Sequence, residues 1–396
     1  MSLPDHYPPE TPELPSRLPA VGTTIFTEMS ALAAAHKAWN LGQGFPDFDC
    51  DPALIEFVRA AMQEGHNQYP PMAGVAVLRL AISAKIENLY DYQYDSDSEI
   101  TVTAGATQAL LTAILCAVHP GDEVIVIEPA YDSYVPAITL AGGIPVLVSM
   151  EIDTRGYYVP WDKVGAAISN KTRMIIINTP HNPTGSILRA ADMQALISLV
   201  RHSKLLILSD EVYEHMVYDG EAHESVTRYP ELAARAFVVS SFGKTFHVTG
   251  WKVGYVAAPA SLMREFRKVH QFNVFTVNTP MQYGLAHYLN NPVPYLELPS
   301  FYQRKRDLFR AGLQQTPFEC LPADGTYFQC VRYDGFSDIL EADFAKWLTT
   351  QIGVAAIPVS AFYQQPKQSG IVRFCFAKKD QTLELALACL HKLQNR

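Results

Sequence analysis

A chain of 396 residues, 48% hydrophobic and 18% charged, holds apolar material for one large domain plus a smaller one, or for two of moderate size. Its formal charge of -9, with no cluster of Lys and Arg, argues against a nucleic-acid partner. No apolar stretch reaches membrane-spanning length without a break. The six cysteines form no C-x-x-C pair and sit mostly among apolar neighbours, so they read as buried thiols of a reducing cytoplasm, and no metal site is expected.

The chain opens MSLPDHYPPETPELPSRLP, without a basic start before an apolar run, so no signal peptide is expected. Its prolines predict an extended arm. Apolar spacing predicts a helix over Ile25–Ala35, followed by the loop NLGQGFPDFD at 40–49 and by helices over Ala53–Gln63 and Val75–Tyr90. Short apolar strands then recur at Ile100–Thr103, Glu123–Ile127, Pro145–Val148, Met174–Asn178, Leu205–Ser209, Ala236–Ser240 and Val253–Ala257. Helical patterns lie between several of them, notably Thr107–Val118 and Ala191–His202. That alternation predicts an α/β fold with a mainly parallel central sheet and helices on both faces. From about Pro292 the texture changes. Phe301–Gln314, Phe344–Gln351 and Leu383–Leu393 read as helices, Thr326–Arg332 and Ile371–Phe376 as strands. The expected division is an arm and helix over 1–45, a large domain over 46–290 and a smaller α+β domain over 291–396. The arm is expected to pack with the small domain, a second subunit being the other candidate surface.

Ligands of open α/β sheets gather beyond the carboxyl ends of the strands. Four polar segments stand there: TAGATQAL at 103–110, NTPHNPTG at 178–185, SDEVYE at 209–214 and SSFGKTFHVTGWKVGY at 240–255. Gly105, Ala106 and Thr107 open a helix with small residues and free N–H groups, which suits an anion. Two X-Pro steps and a Gly hold Asn178 and Asn182 in a stiff loop. Asp210 ends a buried strand, where a carboxylate needs a cationic partner, and Tyr213 can reach the same ligand. Lys244 lies in a loop of small and hydroxyl residues, where a desolvated amine can form a Schiff base. Each segment alone also reads as an ordinary strand-end turn or helix cap.

In this order the four resemble the class I/II aminotransferases of fold type I, which depend on pyridoxal 5'-phosphate (PLP). The resemblance runs from NLGQGFPDF to VRFCFAK. NLGQGFPDF, SFGKTFHVTGWKVGY and VRFCFAKK are most similar to the branch of kynurenine/glutamine and bacterial methionine aminotransferases. The resemblance implies that Lys244 carries PLP, that Asp210 pairs with its pyridine nitrogen, and that Tyr213 and Asn182 bond its 3-oxygen. It implies a ring stacked by Tyr131 and a phosphate held by Gly105, Ala106, Thr107, Ser241 and Lys252. An arginine is usual at the position of Lys252, and a lysine there is a point charge rather than a bidentate clamp. Arg373, with Asn182 and Gly42, would take the substrate's carboxylate. Tyr69 matches a tyrosine lent to the neighbouring subunit's phosphate, which implies a homodimer.

Phe26, Phe45, Phe272 and Phe275 come from segments that bracket the site in the family, and no arginine stands among them. An aromatic side-chain pocket favours methionine and disfavours aspartate. Phenylalanine, tyrosine, leucine, glutamine and kynurenine are further expected donors. The expected partners are thus an amino acid and a 2-oxo acid. The rival reading is a PLP-dependent β-lyase acting on cysteine S-conjugates, distinguished by pyruvate and ammonia release without an added oxo acid.

Overall fold

The computed structural model describes residues 14–365 and 367–395, so the proline-rich opening at 1–13 lies outside the described residues. The seven apolar segments form one sheet. Its strands are β1 (Ile100–Thr103), β2 (Glu123–Glu128), β3 (Ile144–Ser149), β4 (Thr172–Asn178), β5 (Leu206–Asp210), β6 (Ala236–Ser241) and β7 (Gly254–Ala257). The spatial order is β1-β7-β6-β5-β4-β2-β3. All neighbours are parallel except β7, which runs antiparallel to both β1 and β6.

The unbroken apolar character of the strands follows from cover on both faces. In β2, Val124 and Val126 pack with Ala109, Ala113 and Ile114 of the helix Ala106–Ala117. Their neighbours Ile125 and Ile127 point the other way, toward Met193, Leu196 and Ile197 of the helix Ala190–Val200. Each such fully buried side chain contributes about 1.5–3 kcal/mol of transfer free energy.

A second, four-stranded antiparallel sheet joins Glu319–Cys320, Phe328–Arg332, Ile371–Cys375 and Ile357–Pro358 in that spatial order. The helices Leu298–Leu313 and Asp380–Leu390 pack together beside it, sharing a core with Phe328, Val372 and Phe374. The helix Ile25–His36 starts on Thr24, whose hydroxyl accepts from the Thr27 amide at 3.3 Å, and lies against Leu348–Ile352. After it, Trp39–Asn40 pairs in parallel with Val354–Ala355. The segment ahead of the glycine loop is thereby tied to the smaller-sheet region, and Gly42 and Gly44 lie against Ile357, Tyr327 and Phe328 of that region.

Two helices carried no sequence signal that stood out, Ala260–Asn273 and Thr279–Leu289. The first buries only Met263, Phe266 and His270 among its fourteen residues, so its apolar stripe is thin.

Candidate active site

The parallel strands β4, β5 and β6 end on Asn178, Asp210 and Ser241, side by side at one edge of the sheet. Beyond that edge lies a cavity of about 170 Å³. Gly105, Ala106, Thr107, Tyr131, Asn182, Asp210, Tyr213, Ser241, Lys244 and Lys252 all line it. One end is the start of the helix Ala106–Ala117, where Gly105 supplies no side-chain cap and has φ +77°. The first N–H groups of a helix need acceptors and carry partial positive charge. Lys252 adds a full charge at the same place, since a Cβ built on Gly105 would stand 3.3 Å from its Nζ. Gly254 lets the backbones close in behind, for a Cβ there would meet Ser240 O at 2.6 Å and Ala106 N at 3.3 Å. Thr107 Oγ1 and the Tyr131 hydroxyl are 3.1 Å apart at the rim.

At the other end Asp210 is buried. The Tyr134 hydroxyl donates to its Oδ2 at 2.7 Å and the Val212 amide approaches Oδ1 at 3.3 Å. Burial still pushes this carboxyl up to about 6. Its carboxylate form therefore has room for a cationic partner facing the cavity. The neighbouring loop is stiff: Asn178 donates from Nδ2 to Asp210 O at 2.8 Å, and its Oδ1 accepts the Asn182 amide at 2.8 Å.

Lys244 sits on the short turn Phe242–Thr245 directly after β6. Its Nζ donates to the Tyr327 hydroxyl at 2.8 Å and to Gly44 O at 3.1 Å, and lies 5.6 Å from the Tyr213 ring centre. Burial drives the amine down to about 8, a cationic Arg373 and Lys252 pushing the same way, against Cys375 and Asp210. An amine at that value is still mostly protonated at pH 7 but about a tenth neutral, far more than an ordinary lysine, and that fraction can act as a nucleophile or base.

Arg373 is 1% exposed and rises from the smaller sheet. Its guanidinium lies 3.9 Å from the Phe328 ring centre, 4.9 Å from that of Phe362 and 5.5 Å from that of Phe26. Nη1 donates to Asn182 Oδ1 at 2.6 Å and Nη2 to Gly42 O at 3.1 Å. Nε is buried without a partner among the described residues. A buried guanidinium held this way with a donor to spare is ready for an anion, a carboxylate above all. The contact to Asn182 Oδ1 also leaves the amide's Nδ2 as the group free to donate.

Four of the residues singled out in the sequence stand apart. Tyr69 is 83% exposed, edge-on to Phe275 at 5.4 Å. Phe272 is 91% exposed, and Phe275, at φ +70°, is also exposed. Phe45 lies over the Lys378 ammonium rather than in the cavity. Sequence reasoning missed Tyr327, Tyr134 and Phe362. Tyr327 and Phe362 come from the smaller sheet region, more than 80 positions from Lys244, and only the fold brings them in. Tyr134 stood in PAYDSY beside Tyr131, and its hydroxyl was the available signal.

Residues 36–390 match the family described as "Aminotransferase class I and II". The methionine aminotransferase of Escherichia coli (strain K12) is 50% identical over 379 residues, 96% of this chain and 98% of that one. A probable N-succinyldiaminopimelate aminotransferase of Mycobacterium tuberculosis is 39% identical over 393 residues, with the same coverage. A crystal structure from Escherichia coli, reported as identifying a methionine aminotransferase function, aligns with a TM-score of 0.94 at 49% identity, over 96% of this chain and 100% of that one.

Proposed function

The chain belongs to the class I and II aminotransferases, enzymes that move an amino group from an amino acid to a 2-oxo acid, and we propose that it does so with PLP held on Lys244 and with methionine as a good donor. One observation carries the cofactor assignment. The desolvated Lys244 amine, the buried Asp210 carboxyl and an uncapped helix start reinforced by Lys252 share one cavity. An aldehyde, a protonated ring nitrogen and a phosphate are the groups those three would take. The cavity thus fits the cofactor at each end.

In this reading Gly105, Ala106, Thr107, Ser241 and Lys252 hold the phosphate, Tyr131 covers the ring, and Asp210 keeps a proton on the ring nitrogen. Tyr213 and Asn182 donate to the 3-oxygen. When bound, PLP supplies an electron sink that acidifies the substrate's Cα–H bond. Arg373 takes the substrate's α-carboxylate, with Gly42 and Asn182 fixing the guanidinium. With the cofactor bound, the Lys244 amine would be the group that takes the proton from the substrate's Cα as base and, as an ammonium, has it to give back as acid. Tyr327 and Gly44 O are the groups that receive its amine. Phe26 and Phe362 keep water from the guanidinium. We also propose a cytoplasmic homodimer in which Tyr69 serves the partner's phosphate site. Among the described residues no helix is long and apolar enough to cross a membrane.

The purified protein is expected to be yellow. Borohydride should abolish the visible band and leave the reduced adduct on the peptide containing Lys244; an adduct on another lysine rejects the assignment. For the donor, kcat/KM with methionine should exceed that with aspartate by roughly thirtyfold or more with one shared oxo acid, because an unpaired second carboxylate costs about 2 kcal/mol or more in an apolar site. A preference for aspartate rejects the pocket.

A further inference from the structure

A second cavity, of about 460 Å³, adjoins the first. Tyr131 borders both. Phe26 and Phe362, the rings packed on the Arg373 guanidinium, form part of its wall. One side is the segment 18–26 and the other is the stretch between β2 and the helix Tyr134–Leu140. That stretch is anchored, since the Ala130 amide donates to Phe362 O at 2.8 Å. In the substrate orientation proposed above, with the α-carboxylate on Arg373, this cavity is the space taken for the side chain.

The lining is apolar or neutral except for two carboxylates, Glu128 and Asp132, and none of the described residues lining it is Lys, Arg or His. Glu128 is largely satisfied: its Oε1 accepts the Gln364 amide at 2.7 Å, and Lys367 is close enough to favour its charged form. Asp132 differs. Arg373 acts on it through space and its own backbone N–H favours the charged form, and no ion pair within 4.0 Å holds it among the described residues. Asp132 is itself exposed at the cavity wall, and the partial desolvation it meets there raises its carboxyl above the ordinary value against that pull. A side chain entering this cavity displaces the water that screens Asp132 and meets an unpaired negative charge.

From this geometry we infer that Asp132 is a specificity-determining residue that excludes substrates whose side chain ends in a carboxylate. The inference rests on the substrate orientation proposed above. Donor and acceptor occupy the same site in alternation, so the exclusion applies to both. The acceptor class is therefore a 2-oxo acid with a neutral side chain, and dicarboxylic oxo acids are poor acceptors.

The test compares kcat/KM for glutamate and for methionine, and for 2-oxoglutarate and pyruvate, in the PLP-loaded enzyme. Asp132→Asn should raise the dicarboxylic-to-neutral ratio roughly tenfold in both pairs, Asp132→Lys should raise it further, and Asp132→Glu should keep it near the parent value. A structural lesion lowers both members of a pair together and leaves the ratio unmoved, so an unchanged ratio in the Asn and Lys variants overturns the inference. The orientation is checked separately with Arg373→Ala. Loss of kcat/KM on both donors with the ratio kept supports it. An unaffected Arg373→Ala rejects the orientation, while the response of Asp132→Asn and Asp132→Lys still decides whether that charge is read.

Discussion

Lys244 combines burial with two hydrogen-bond acceptors, and the two act in opposite directions on its charge. Desolvation favours the neutral amine, whereas Tyr327 and Gly44 O accept hydrogen bonds and favour the ammonium. Desolvation wins, at about 8. Only the neutral amine attacks an aldehyde. The rate at which cofactor-free protein captures PLP should therefore rise with pH, inflect near 8 and level off above it. Stopped-flow absorbance measures this directly, and a rate flat from pH 6 to pH 10 contradicts it. Tyr327→Phe removes one acceptor of the ammonium's hydrogen bonds, so its inflection should move to lower pH. A shift upward would mean that the hydroxyl mainly donates. Asp210→Asn is the companion test at the ring nitrogen. The phosphate end would still hold the cofactor, while turnover should fall on the order of 10³-fold because the charge that retains the ring proton is gone. Near-normal turnover would remove Asp210 from the mechanism.

At the scale of elements, the strands that carry these residues are locked from behind by a buried ion pair. Lys85, on the helix Ala76–Tyr90, donates to Glu214 Oε1 at 2.8 Å, and both side chains are almost fully buried. The Tyr90 and Ser240 hydroxyls donate to the same carboxylate, each at 2.5 Å. Glu214 follows Tyr213, and Ser240 precedes Ser241, so one cluster ties the loop after β5 to the end of β6. Against burial, which alone would raise it, the Lys85 ammonium holds Glu214 well below the usual carboxylate range. Lys85→Met leaves that charge buried and unpaired, a loss of about 3–5 kcal/mol near neutrality. A carboxyl depressed in the folded state adds stability that is fully present above its unfolded value, about 4.3, and fades as pH falls below it. In the variant the buried group is protonated at low pH at no cost. The stability gap in urea melts should accordingly narrow below about pH 4.3. A gap that widens there would contradict the assignment. None of this cluster was visible in the sequence, because Lys85 sits on a helix whose pattern reads only as amphipathic. The strands were legible because their apolar runs stop abruptly at Asn178, Asp210 and Ser241, and those stops line the cavity. Tyr327 was hidden because it follows a left-handed Thr326, at φ +63°, in a region whose pattern belongs to the other sheet. The helix Ala260–Asn273 was hidden by its thin buried stripe.

At the scale of the whole molecule, the isolated chain leaves several large apolar and aromatic groups facing outward. Tyr69 packs edge-on to Phe275, Thr279 holds Gln68 O at 2.6 Å, and Phe272 projects with no ring partner among the described residues. Ile55, Met62, Val77 and Leu80 are exposed on the helices Pro52–Gln63 and Ala76–Tyr90. Tyr69 thus has an ordered place but no role in its own cavity, as a residue serving a second subunit would. Two-fold symmetry makes the proposed dimer testable by complementation. A Lys244→Ala homodimer lacks the covalent lysine at both sites, and a Tyr69→Ala homodimer lacks the donated hydroxyl at both. In a hybrid of the two, one site takes Lys244 from the Tyr69→Ala chain and Tyr69 from the Lys244→Ala chain, and is complete. Unfolding and refolding a 1:1 mixture should produce hybrids as about half of the dimers, each with one of two sites intact, and restore about a quarter of the parental activity. Sedimentation should give twice the chain mass throughout. If Tyr69 acted within its own chain, every Lys244-bearing site would still lack the hydroxyl, and mixing would restore nothing beyond the average of the two parents.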